Sequence, residues 1–169
     1  MKHRFAPLAA MVAMAACGGT KAAPATGTAA ATTVEVNASG SVQYDGQFRP
    51  MQVAQGALGM SQKQNIFGNV RIIYREATNR SLVSLNVSTS QQQTDVMSWA
   101  VAPGRCGSGS VPLMPSAQFP ALEIGNTGRG ELTVNDLAIA MPMGTYHVNL
   151  YRGGETLANV MACANLTAK

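Results

Sequence analysis

Met97–Gly109, MSWAVAPGRCGSG, carries the chain's single tryptophan and one of its three cysteines. Met97, Trp99 and Val101 place apolar side chains at alternate positions, and the run breaks at Pro103-Gly104 before it meets Cys106. A period of two is that of a strand, and a Pro-Gly pair ends one. The stretch therefore predicts a strand that turns sharply and delivers a cysteine just beyond the turn. Whether that cysteine serves chemistry or scaffold is decided by the rest of the chain.

The same period recurs. VRIIYR, Val70–Arg75, sets Val70, Ile72 and Tyr74 against Arg71 and Arg75. SLVSLNVS, Ser81–Ser88, sets Val83, Leu85 and Val87 against Ser84, Asn86 and Ser88, and TYHVNLY sets Tyr146, Val148 and Leu150 against His147 and Asn149. Turn chemistry punctuates these runs at Tyr44-Asp45-Gly46, Ala77-Thr78-Asn79, Pro103-Gly104, Gly125-Asn126-Thr127-Gly128 and Arg152-Gly153-Gly154. No segment keeps a helical stripe for three turns. The expectation is an all-β domain, an antiparallel sandwich or barrel.

The start of the chain reads differently. Lys2, His3 and Arg4 precede an apolar run, Phe5–Ala16, of secretory-signal length and too short to span a bilayer. It ends in Met14-Ala15-Ala16-Cys17, which resembles the lipobox of bacterial lipoproteins. That resemblance implies a signal peptide over residues 1–16, cleavage before Cys17, and acylation of Cys17. Several acyl chains on one cysteine, at about 0.8 kcal/mol per buried methylene, make a durable membrane anchor. Residues 17–33 continue as Gly, Ala, Thr and Pro with one Lys, a composition that builds no core and reads as a tether reaching roughly 20–25 Å. Gly18 after the cysteine resembles lipoproteins passed on to the outer membrane, facing the periplasm. One domain of ordinary size, residues 34–169, remains.

Charge excludes one large class of partner. The formal net charge is +4, and removal of Lys2 and Arg4 with the signal leaves ten basic against eight acidic residues. The arginines are spread singly, so no concentrated positive face for nucleic acid is expected. Cys106 and Cys163 are the cysteines left after Cys17 is acylated. In an exported chain such a pair forms a disulfide. The bridge would close about 58 residues, worth about 4 kcal/mol on the chain-entropy account.

In order, the chain runs Trp99-Ala100-Val101-Ala102, the Gly104-Arg105-Cys106-Gly107 turn, GNTGRG at 125–130, GTYHVN at 144–149 and MACANL at 161–166. From Ile66 to Leu166 this resembles the copper–zinc superoxide dismutase sandwich and its metal-free chordin-like relatives. The resemblance matches Cys106 and Cys163 to that family's disulfide and Trp99 to the aromatic before its first copper ligand. It also puts Ala100 and Ala102 where two copper-binding histidines would stand, and alanine has no donor atom. The strand Val148-Asn149-Leu150-Tyr151 has no histidine at the expected place, and the zinc-loop segment 107–120 has neither His nor Asp. The resemblance thus implies the fold, an antiparallel Greek-key sandwich or flattened barrel with one disulfide, without the dismutase reaction, no cofactor, and a scaffold role for the opening stretch.

Other chemistry is sparse. His147 is the sole histidine of the mature chain, and its position predicts a solvated or hydrogen-bonded surface side chain. The acids are scattered without an acid–base pair, and no phosphate-cradling loop occurs. Met141-Pro142-Met143 precedes His147 by four residues, and thioethers with an imidazole suit Cu(I). The plainer reading of these methionines is core filling. The expectation is a non-enzymatic envelope module acting by binding or as structure. The alternative is a copper binder or carrier using Met141, Met143 and His147.

Overall fold

The structure, a computed structural model, describes residues 40–51 and 65–169. The signal peptide, Cys17 and the tether lie outside the described residues. Within them the chain is all-β. The strands are β1 (Ser41–Pro50), β2 (Ile66–Arg75), β3 (Arg80–Thr89), β4 (Asp95–Pro103), β5 (Leu122–Ile124), β6 (Arg129–Leu137), β7 (Tyr146–Tyr151), β8 (Val160–Asn165) and β9 (Thr167–Ala168). Two single 3-10 turns, Ser116–Gln118 and Leu157–Asn159, are the described helical pieces.

The strands pair antiparallel in the order β5-β4-β7-β8-β1-β2-β3-β6, with β9 added to β1. The sheet curls until its two ends meet, and the hairpin between β5 and β6, with Gly125 N–H donating to Arg129 O at 2.8 Å, nearly closes it into a barrel. Short hairpins join β2 to β3 and β7 to β8. The connections β3–β4 and β6–β7 cross from one half to the other and make β4–β7 and β3–β6 neighbours, which is the Greek-key element of the topology.

Period-two patterning places the core as the sequence predicts. Val70, Ile72 and Tyr74 on β2 and Val83, Leu85 and Val87 on β3 are all buried. They meet Val42, Tyr44 and Phe48 of β1 and, from the other half, Val148, Leu150 and Ala162. At one end Tyr44 and Tyr146 touch edge to face at 5.6 Å, and both hydroxyls donate to Pro142 O, closing the barrel with a polar clasp.

The turns at 77–79, 103–104, 125–128 and 152–154 fall between strands as expected, and Asn79 (φ 56°) supplies the left-handed residue of its turn. Tyr44-Asp45-Gly46 does not turn. It runs through the middle of β1, paired with Ile72, Arg71 and Val70. Gly46 faces inward, where a Cβ would lie 2.9 Å from Asn165 O and 3.0 Å from a Leu166 methyl. The glycine makes room for the chain leaving β8. Asp-Gly resembles a turn signal only when tertiary packing is ignored.

Cys106 and Cys163 form the expected disulfide, with Cα atoms 5.9 Å apart. It fastens the turn after β4 to β8.

Candidate functional site

Cross-strand partners share a face of a sheet, so the register of β4, β7 and β8 assigns their side chains. Trp99 stands opposite Leu150, which stands opposite Ala162; Val101, Val148 and Ala164 form the next row. These rows face the barrel core. The intervening rows, Ala100–Asn149–Cys163 and Ala102–His147–Asn165, face outward. The opening stretch therefore presents alanines, not ligands, beside the polar side chains of β7.

This outer face is covered. The segment 104–121 folds back over it and is held at several points. Gly104 N–H donates to Thr145 O at 2.8 Å, Leu113 N–H to Val101 O at 2.8 Å, and Cys106 N–H to Asn165 Oδ1 at 2.8 Å. With the disulfide, these contacts seal the face: Ala100, Ala102, His147 and Asn149 are all buried. On the core side of β4, the Trp99 indole N–H donates to Pro120 O at 2.7 Å and its ring meets Phe119 edge-on at 4.8 Å, which fixes the far end of the same segment.

His147 is accordingly not a surface residue. It is 1% exposed, and Nδ1 lies 3.1 Å from Gly104 O, so that Nδ1–H donates to the carbonyl and Nε2 keeps its lone pair. Burial pushes its pKa below the ordinary 6.5, with the Gly104 bond pulling partly back, and the ring is neutral at pH 7. The predicted parity and hydrogen bonding were right, and the predicted surface position was wrong. Alternation reports which side a residue takes, not whether a distant loop covers that side.

Asn149 completes a small polar cluster. Its amide nitrogen donates to Tyr151 Oη at 3.1 Å and lies 3.4 Å from His147 Nε2. Its Oδ1 is buried with no partner among the described residues. Burial raises the Tyr151 pKa, the Asn149 bond lowers it in part, and the phenol stays protonated at neutral pH. The cluster offers one imidazole lone pair, one orphaned amide oxygen and two neighbouring methyl groups. Among the described residues, no three His, Cys, Asp or Glu side chains are grouped to hold a metal.

The structure does not bring Met141, Met143 and His147 together. Met141 is fully buried in the core, and the Tyr44 hydroxyl reaches its carbonyl from the side of β7 that bears Tyr146. His147 points to the opposite face, and Met143 is 55% exposed. Among the described residues the aspartates are engaged by basic partners, and the acids are not grouped with one another. Asp45 is bound by Arg71 at 3.0 Å and by Lys169 at 2.6 Å, Asp136 by Arg80 at 3.4 Å, and Asp95 by Arg152, whose Nε is buried without a partner among the described residues.

Asn149 and Tyr151 escaped the sequence reading. A usable signal was present: two alanines and a disulfide cysteine lie where polar partners of an exposed β7 face would be expected, and small apolar neighbours mark a face under cover. No protein-family model matches the chain, and no curated protein matches it in sequence.

Proposed function

We propose that this chain is a non-enzymatic, lipid-anchored module of the bacterial cell envelope, held at the membrane through Cys17 and acting by binding or as a structural part. In this reading its sandwich is related to the superoxide dismutase and chordin-like folds and lacks their metal ligands. The observation that carries the reading is the pair Ala100 and Ala102. Both lie on one buried outer face with Asn149 and His147 as cross-strand partners, so the positions matched to copper ligands hold methyl groups beside a single imidazole. An antiparallel Greek-key barrel with a disulfide between the turn after β4 and β8 agrees with the architecture that the resemblance implies. The disulfide also suits an oxidising compartment, and the Met14–Cys17 junction supports acylation and an outer-membrane location facing the periplasm.

Two measurements on the same preparation test it. Cys17→Ser should abolish incorporation of labelled fatty acid and move the protein out of the membrane fraction; retained label would refute the anchor. Elemental analysis of untagged protein equilibrated with copper under mild reduction should find well under one equivalent. A stoichiometric copper ion lost on Met143→Leu would instead establish the carrier.

A further inference from the structure

The half of the barrel made by β1, β2, β3 and β6 has an outer face that no loop among the described residues covers, and it is not flat. Two abutting depressions of about 370 and 540 Å³ lie on it, sharing Gln47, Asn69 and Asn86 in their linings. Their origin is in the register. Phe48, Gly68, Val87 and Gly130 form one cross-strand row, and two of its four inward positions are glycine. A Cβ at Gly130 would stand 2.5 Å from an Ile124 methyl, and one at Gly68 (φ +154°) would stand 2.0 Å from Asn86 O. Only glycine allows so close an approach to β3 at Gly68 and to β5 at Gly130, and because this row turns its side chains inward, the outer surface between the rows that flank it carries backbone alone.

The neighbouring rows make the walls. On one side stand Gln47, Asn69, Asn86 and Glu131; on the other, Ser88 and Arg129, with Phe67 beyond the lining as the cross-strand partner of Ser88. The three amides have no side-chain partner among the described residues, and each presents both donors and an acceptor. Phe67 shares Ser88's row and is 55% exposed, an aromatic ring standing beside an otherwise polar trough. Across four strands the trough runs about 14 Å.

We propose that this trough is a binding site for a neutral oligosaccharide, with Phe67 stacking on a sugar ring and Gln47, Asn69 and Asn86 hydrogen-bonding its hydroxyls. Three features select that ligand class. Amide groups that both donate and accept match hydroxyls, which do the same. The nearby charges alternate in sign, Arg71 and Lys169 being tied up by Asp45 and Arg129 lying beside Glu131, so no uniform field favours a polyanion. The trough crosses the middle of a sheet whose backbone groups are already paired, so an extended peptide finds no edge to extend. The inference does not depend on the lipid anchor or on the metal question, and its failure would leave both standing.

The test is titration of the full mature protein with chitotetraose and with cellotetraose, followed by amide-resolved NMR. At least one should give saturable shifts centred on Asn69, Asn86 and Ser88, with the Trp99 indole signal unmoved. Phe67→Ala, and separately the pair Asn69→Ala with Asn86→Ala, should each weaken binding about tenfold or more while the melting temperature holds. No saturable binding of either sugar at about 10 mM would overturn the proposal. So would shifts centred elsewhere, unchanged affinity in both variants, or a sulfated oligosaccharide binding the same face in preference to the neutral ones.

Discussion

Strands β3 and β7 carry the same alternating pattern in sequence and live in different surroundings. On β3, Val83, Leu85 and Val87 are buried while Asn86 and Ser88 stand in solvent. On β7 every residue from Tyr146 to Tyr151 is buried. The difference does not lie in the strands. It lies in the segment 104–121, which is folded over the β4–β7–β8 face and pinned there by Cys106–Cys163, while no described residues form such a cover over the β1–β2–β3–β6 face. Among the described residues one half of the barrel is buried on two faces and the other on one, and the two halves should respond unequally to the same kind of perturbation.

The largest contrast is expected between two aromatic truncations. Trp99 is fully buried, packed on Phe119 and bonded to Pro120 O. Trp99→Ala should cost about 3–5 kcal/mol, as large-to-small core changes do. Phe67→Ala, on the open face, should stay within about 0.5 kcal/mol. Urea denaturation of both variants measures the gap, and equal losses would erase the distinction between the halves.

Removing the cover itself comes next. Cys106→Ala with Cys163→Ala should lower stability by up to about 4 kcal/mol. Its sharper signature is local. Hydrogen exchange should accelerate on His147–Tyr151 as the segment lifts, before any change on β3. Uniform acceleration over both strands would mean that the bridge acts only through the unfolded chain.

Acid should separate the halves by a smaller amount. His147 has a folded pKa below 6.5 because burial disfavours its charged form. The unfolded chain therefore takes up the proton first, and stability should decline as pH falls through about 6.5, a decline absent in His147→Gln. On the open face, burial raises the Asp45 pKa, but hydrogen bonds from Lys169, Arg71 and Gln43 outweigh it and hold the carboxyl at about 2 against an ordinary 3.8. Its contribution is present above pH 3.8 and disappears as pH falls toward 2. Because Arg71 and Lys169 are largely exposed, it should amount to about 1 kcal/mol or less. Denaturation midpoints across the pH range, with Asp45→Asn alongside, resolve the two windows.

Much of this architecture was legible in the residues. Alternation at Val70–Arg75, Ser81–Ser88 and Met97–Val101 marked the strands and their inward sides, because a period of two is a local property of extended backbone. The cysteine count led to the disulfide, and one tryptophan in an alternating run led to the core. The candidate site was less legible. Its small members, Ala100 and Ala102, stood out through a resemblance, whereas Asn149 and Tyr151 carry no motif at all.

What the sequence by itself determined is therefore the strand, its two sides and the covalent tie. Only the tertiary structure decided which sides meet water. Gly46 became a packing glycine because the chain beyond β8 crosses above it, His147 became a buried neutral imidazole because a segment beginning 43 residues upstream covers it, and Gly68 and Gly130 came to lie side by side along the trough because register sets them in one row. Each of these outcomes depends on contacts between residues far apart in the chain. A local period cannot encode them, since the same alternation is satisfied whether its second face is exposed or covered.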